Sequence, residues 1–151
     1  MKSTKISYVN LDNEKDKLLN QKNHTNFEKK IRNINLNFEF VCSVRNFTKN
    51  DWKRVVAVFV QGNDWEFTDW PKNETVTSIL LKVKGIHIKY SDTLLNENIK
   101  NWNIKVLEIN RHKRHFDGSV QNEFWNQMEQ FLMQPRFREK GIKVKIPSFN
   151  N

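Results

Sequence analysis

The run Val55-Val56-Ala57-Val58-Phe59-Val60 constrains this chain most. Six consecutive apolar residues without alternation read as a strand covered on both faces, the pattern of a parallel sheet between helical layers. The run ends at Gln61-Gly62 and passes into an aromatic stretch holding Trp65, Phe67 and Trp70-Pro71.

Other elements follow from shorter patterns. Leu36, Phe38 and Phe40 alternate with polar residues and predict a half-buried strand running toward Val44. Val76, Ile79, Leu80 and Val83 share one helical face, with Asn73 or Thr75 as the cap. Gly85 sits where a left-handed C-terminal cap would be needed. Ile86, Ile88 and Tyr90 alternate with His87, Lys89 and Ser91 and predict a second strand. Trp102, Ile104 and Val106 open a third, ending near Ile109. No helical pattern separates these two strands, so they are expected to pair antiparallel. Val120, Phe124, Met128, Phe131 and Leu132 stripe a helix that starts at Asp117-Gly118-Ser119. Pro135 stops it.

The chain has 151 residues, a net charge of +9 and one cysteine. That length suits one domain, and one cysteine permits no internal disulfide. Cys42 reads as a small strand hydrophobe. The basic balance favours polyanionic partners. No stretch approaches the ~20 apolar residues of a membrane span, and no apolar run of a secretory signal follows the first lysines.

Taken together, VVAVFVQG, the W-x-F-x-x-WP pattern ending at Pro71, VKGIHIKYSD from Val83, and WNIKVLEINRHKRH from Trp102 resemble the parafibromin C-terminal domain family. The resemblance spans roughly residues 50–134 and includes Phe124-Trp125 at the last helix. It implies an α/β, Ras-like (P-loop NTPase-like) three-layer α/β/α domain. Its sheet would be small, mixed and mainly parallel, with a degenerate phosphate loop. The family carries a further strand and helix ahead of the matched part, for which Leu36–Val44 is the available substitute. The family's long N-terminal region is also missing, so the chain is expected to be a fragment, a split gene or a free-standing paralogue. The organisation expected is a low-complexity, disordered segment over 1–35, the domain over 36–134, and a basic tail over 135–151 whose IKVKI run could form an edge strand.

Residues argue against catalysis. A phosphate loop needs G-x-x-x-x-G-K-[ST], whose glycines let N–H groups wrap phosphates while the lysine neutralises them. The stretch after Val60 has one glycine, two acids, and no Lys-Ser/Thr. Asp51, Asp64, Glu66 and Asp69 look like ordinary surface acids. His112 and His115 lie among cations, which disfavours a metal ion. No enzyme, nucleotide site, metal or cofactor is expected.

Binding is the remaining expectation. Arg111, His112, Lys113, Arg114 and His115 follow the third strand, and Trp65 and Trp70 follow the first. If both loops share the C-terminal edge of a parallel sheet, indoles beside guanidinium groups could hold a phosphorylated, proline-rich peptide. The same aromatics could instead plug the vacant nucleotide site as core. The resemblance implies a non-enzymatic module of a Paf-complex subunit. It would act in the nucleus, in RNA polymerase II elongation and chromatin association. Its partners would be the other Paf subunits and phosphorylated repeats of the polymerase or its elongation factor. The alternative is a nucleic-acid-binding module using the basic loop and tail, with no phosphopeptide specificity.

Overall fold

The computed structural model describes residues 4–8, 24–41, 43–135 and 137. Among these residues six strands form one sheet: β1 (Thr4–Tyr8), β2 (His24–Ile31), β3 (Ile34–Val41), β4 (Val55–Phe59), β5 (Lys84–Tyr90) and β6 (Ile104–Ile109). Their spatial order is β2-β3-β1-β4-β5-β6. Among the described strands only β2 runs antiparallel, paired with β3 through a tight turn at Arg32 and Asn33. Both turn residues have positive φ, 44° and 67°, as a two-residue hairpin requires. The remaining pairs, β1–β3, β1–β4, β4–β5 and β5–β6, are parallel.

Helices lie on both faces. α1 (Lys49–Trp52), α2 (Val76–Lys82) and α3 (Glu97–Asn101) accompany one face, and α4 (Asp117–Leu132) covers the other. The unbroken Val55–Val60 run has the expected cause. Val55, Val58 and Val60 enter the cluster with Ile79, Leu80 and Ile99, while Val56 and Ala57 enter the cluster with Phe124, Met128 and Leu132. The α4 stripe buries Phe124, Trp125, Met128, Phe131 and Leu132, at about 1.5–3 kcal/mol per large side chain before entropy is charged. Thr75, not Asn73, caps α2, its hydroxyl accepting from the Ser78 N–H.

Several expectations are corrected. The Val55–Phe59 strand is the fourth in the chain, so the tryptophan loop does not occupy the phosphate-loop position. The connection after β1 falls in residues 9–23, outside the described set; its sequence contains no glycine. Thr4–Tyr8 supplies the strand thought to be missing, and with His24–Ile31 it places parts of the 1–35 segment inside the sheet. Leu36–Val41 is therefore the third strand and substitutes for nothing. Cys42 and the IKVKI run lie outside the described residues.

β5 and β6 pair parallel because a short helix intervenes. The Asn96 side chain accepts from the Asn98 N–H to start α3, and Ile99 is buried beneath it. One such crossover returns the chain to the sheet's starting edge. Gly85 is no helix cap. It lies within β5, where a Cβ would collide with Ile104 Cγ2 and come within 2.8 Å of Leu80 Cδ2.

Candidate functional site

β6 ends at Ile109, and the next residue organises the basic loop. The Asn110 side-chain oxygen accepts from the backbone N–H groups of His112 (2.9 Å) and Lys113 (3.0 Å), an Asx turn that reverses the chain locally. A 3-10 turn over Arg114–Phe116 then leads into α4. All five residues from Arg111 to His115 are exposed.

Their charges are not equally committed. The Arg111 guanidinium lies 3.6 Å from the Tyr90 ring centroid and donates to both oxygens of Asp92, at 3.2 and 3.1 Å. Arg114 pairs with Asp117 at 2.5 Å. His115 packs on Phe116, ring centroids 4.2 Å apart. Among the described residues the side chains of His112 and Lys113 have no partner. The loop thus holds two guanidinium groups in fixed positions and leaves an ammonium and an imidazole open to a ligand.

The tryptophan loop goes elsewhere. β4 and β6 share an edge direction but are separated by β5. Trp70 is buried against Trp52, ring centroids 4.9 Å apart, and against Phe67. Trp52 precedes the first residue of β4, so Trp70 packs toward the edge opposite the basic loop. Phe67 similarly meets Trp102, which precedes β6. Phe67 and Trp70 are core, whereas Trp65 is 53% exposed. The seven candidate residues are not brought together: Arg111 to His115 form one cluster, Trp65 stands apart, and Trp70 is inside.

Glu66 is not the surface acid expected. It is 5% exposed, and its carboxylate accepts from Gln61 N (2.8 Å), Asn63 N (2.8 Å) and Asn63 Nδ2 (3.1 Å). Gly62, at φ 103°, shapes this nest in a conformation suited to glycine. Its carbonyl accepts from Asn98 Nδ2 at 2.9 Å, which ties the loop to α3. The anion-accepting backbone here is filled by the chain's own carboxylate. The Asn63-x-x-Glu66 spacing carries a capping-box signal that sequence reading could have used.

Two electrostatic features frame α4. Hydrogen bonds from Lys105 and then Gln127 hold the Glu123 carboxyl below its ordinary range, and the Lys105–Glu123 contact at 2.9 Å clasps α4 to β6. Burial, followed by repulsion from Lys105, pulls the Lys84 ammonium down. Among the described residues no group of three or more His, Cys, Asp or Glu side chains could hold a metal ion, and no helix is long and apolar enough to cross a membrane.

Comparison with known proteins gives this arrangement a family. The model of a family described as RNA pol II accessory factor, Cdc73 family, C-terminal, matches residues 3–131. Protein CDC73 homolog of Arabidopsis thaliana is 40% identical over 85 residues, 55% of this chain and 20% of that protein. Cell division control protein 73 of Saccharomyces cerevisiae is 29% identical over 116 residues, 75% of this chain and 29% of that protein. The chain thus spans between a fifth and a third of the length of these relatives. The solved conserved domain of yeast Cdc73 superposes with a TM-score of 0.76 at 24% identity, covering 93% of this chain and 100% of that one. That likeness establishes the Ras-like fold, and the family match takes in the β1 and β2 strands as well as the basic loop. The chain belongs to the Cdc73 family of RNA polymerase II accessory factors, with residues 3–131 forming that family's C-terminal domain.

Proposed function

We propose that this chain is a non-enzymatic interaction module of a Paf-complex subunit. It works in the nucleus, supports RNA polymerase II elongation and chromatin association, and binds phosphorylated repeats of the polymerase or an elongation factor. The observation that carries the binding reading is the Arg111–His115 loop. Five consecutive cationic or imidazole side chains are exposed at the C-terminal edge of a parallel sheet, where open α/β folds collect ligands.

Arg111 and Arg114 offer forks suited to phosphate oxygens, and Lys113 adds a point charge. Each arginine would exchange a carboxylate, Asp92 or Asp117, for the ligand's phosphate. Trp70 drops out of the recognition surface because it is core; Trp65 remains available to a longer peptide.

The test is fluorescence anisotropy against a phosphorylated polymerase-tail repeat, its unphosphorylated twin and a DNA duplex at two salt concentrations. Phosphate-dependent peptide binding that exceeds DNA binding supports the reading. The net charge of +9 favours a second reading, general nucleic-acid binding, which predicts DNA affinity falling steeply with salt and indifferent to peptide phosphorylation.

A further inference from the structure

Beside α4, on the same face of the sheet, lies an apolar groove of about 580 Å³. Phe40, Phe59, Ile88 and Ile109 from four strands form its floor, and Val120 and Phe124 of α4 line its wall. It opens to solvent: Phe27 and Ile88, both lining it, are 41% and 39% exposed. Residues of these types are usually inside, and a contiguous exposed apolar surface marks a place of association. The volume suits a few side chains of a bound segment.

The groove and the basic loop share a boundary. The chain leaves the groove at Ile109, makes the Arg111–His115 loop, and re-enters the groove lining at Asp117-Gly118. At that junction Asp117 Oδ1 is buried without a hydrogen-bond partner, while Asp117 Oδ2 is held by Arg114.

We propose that the groove is the apolar half of a peptide site whose polar half is the basic loop. The occupant is a linear segment of a partner protein carrying a phosphate or carboxylate next to apolar side chains. The acidic group meets Arg111 and Lys113, and the apolar side chains enter the groove. Cations at the mouth and an apolar floor beyond it select that chemistry over nucleic acid, whose phosphates would require cations along the whole track. This inference rests on the phosphopeptide reading above, and it replaces the tryptophans by Phe59, Ile88 and Phe124 as the apolar partners of the loop.

The experiment uses the full chain and a short fluorescein-labelled peptide with one phosphoserine beside two leucines. Two twins accompany it, one with serines for the leucines and one without the phosphate. Ile88→Asp places a charge on the groove floor. Gly118→Leu obstructs the groove with little risk to folding, since a Cβ at Gly118 meets nothing within 4 Å and glycine is a poor helix residue. Both variants should weaken the leucine peptide by about tenfold or more and barely change the serine twin. Lys113→Glu should weaken both phosphorylated peptides. Phosphate-dependent binding that ignores the leucines and both groove variants overturns the groove while leaving the loop reading intact. Absence of binding by all three peptides overturns both readings. Self-association of the unmodified chain that Gly118→Leu abolishes would assign the groove to a second copy instead.

Discussion

Arg111 lies over the ring of Tyr90, its Cζ 3.6 Å from the centroid, so the first cation of the basic loop is packed as well as paired. The contact joins the end of β5 to the loop after β6 and preorganises the guanidinium. Tyr90→Ala should therefore lower phosphopeptide affinity without removing any charge, by about twofold to fivefold if the cation–π contact contributes roughly 0.5–1 kcal/mol. Tyr90→Phe keeps the ring and should bind nearly as well as the unmodified chain. Anisotropy titrations of the pair check this; equal loss in both would mean that the hydroxyl, not the ring, matters.

Glu66 supplies the second prediction. Replacing it by alanine leaves the Gln61 and Asn63 backbone donors without their acceptor, at a cost of about 2–4 kcal/mol. Glu66→Gln retains one acceptor oxygen and should lose less. Urea denaturation of the two variants orders them. If Glu66→Ala unfolds at the unmodified midpoint, the nest contributes nothing to stability.

Two glycines should respond in opposite directions. Gly85→Ala drives a methyl into Ile104 and Leu80, and overpacking of this kind typically costs about 1–3 kcal/mol. Gly118→Ala enters open space near the start of α4 and should stabilise by about 0.4–1 kcal/mol. Thermal unfolding of both variants, compared at the same concentration, reads the signs directly.

Acid sensitivity follows from two surface carboxylates. Lys82 and Ser78 hold Glu74 below the ordinary value of 4.5, as Lys105 and Gln127 do Glu123. A carboxyl depressed in the folded state stabilises above its unfolded value, and that contribution disappears as pH falls through the lower folded value. The Glu74→Gln/Glu123→Gln variant should be less stable than the unmodified chain at neutral pH. The difference should shrink once the pH is well below 4.5. Denaturation midpoints across that window test it, and a difference independent of pH would contradict it.

How legible the chain was depended on how each element is buried. Val55–Val60 was readable because a doubly covered strand must be apolar throughout. The α4 stripe was readable because five large residues repeat at helical spacing. β2 was not: in HTNFEKKI the lysines dilute the period-two signal, as expected of an edge strand with one face in water. α3 offers only Ile99 as a buried residue, too little periodicity to reveal a helix, and missing it reversed the inferred direction of β6. Gly85 was misread because its reason is a neighbour, Ile104, that only the fold brings close. The Arg111–His115 loop was legible as a consecutive run. Its partners Tyr90 and Asp92, and the groove assembled from five strands and α4, are distant in sequence and exist only through topology. Trp70 stayed open between binding surface and core for the converse reason: its place five residues after Trp65 said nothing about the packing of its ring on Trp52.

The most direct measurement is anisotropy of a phosphorylated polymerase-tail repeat against the unmodified chain and the variant Arg111→Glu/Lys113→Glu/Arg114→Glu. The account predicts phosphate-dependent binding that the triple reversal lowers by a hundredfold or more, since charge-assisted bonds to phosphate contribute about 1.5–3 kcal/mol each. Circular dichroism and the unfolding midpoint should stay close to those of the unmodified chain, because all three side chains are exposed. Equal binding by a folded triple variant would contradict the assignment of this loop as the phosphate contact.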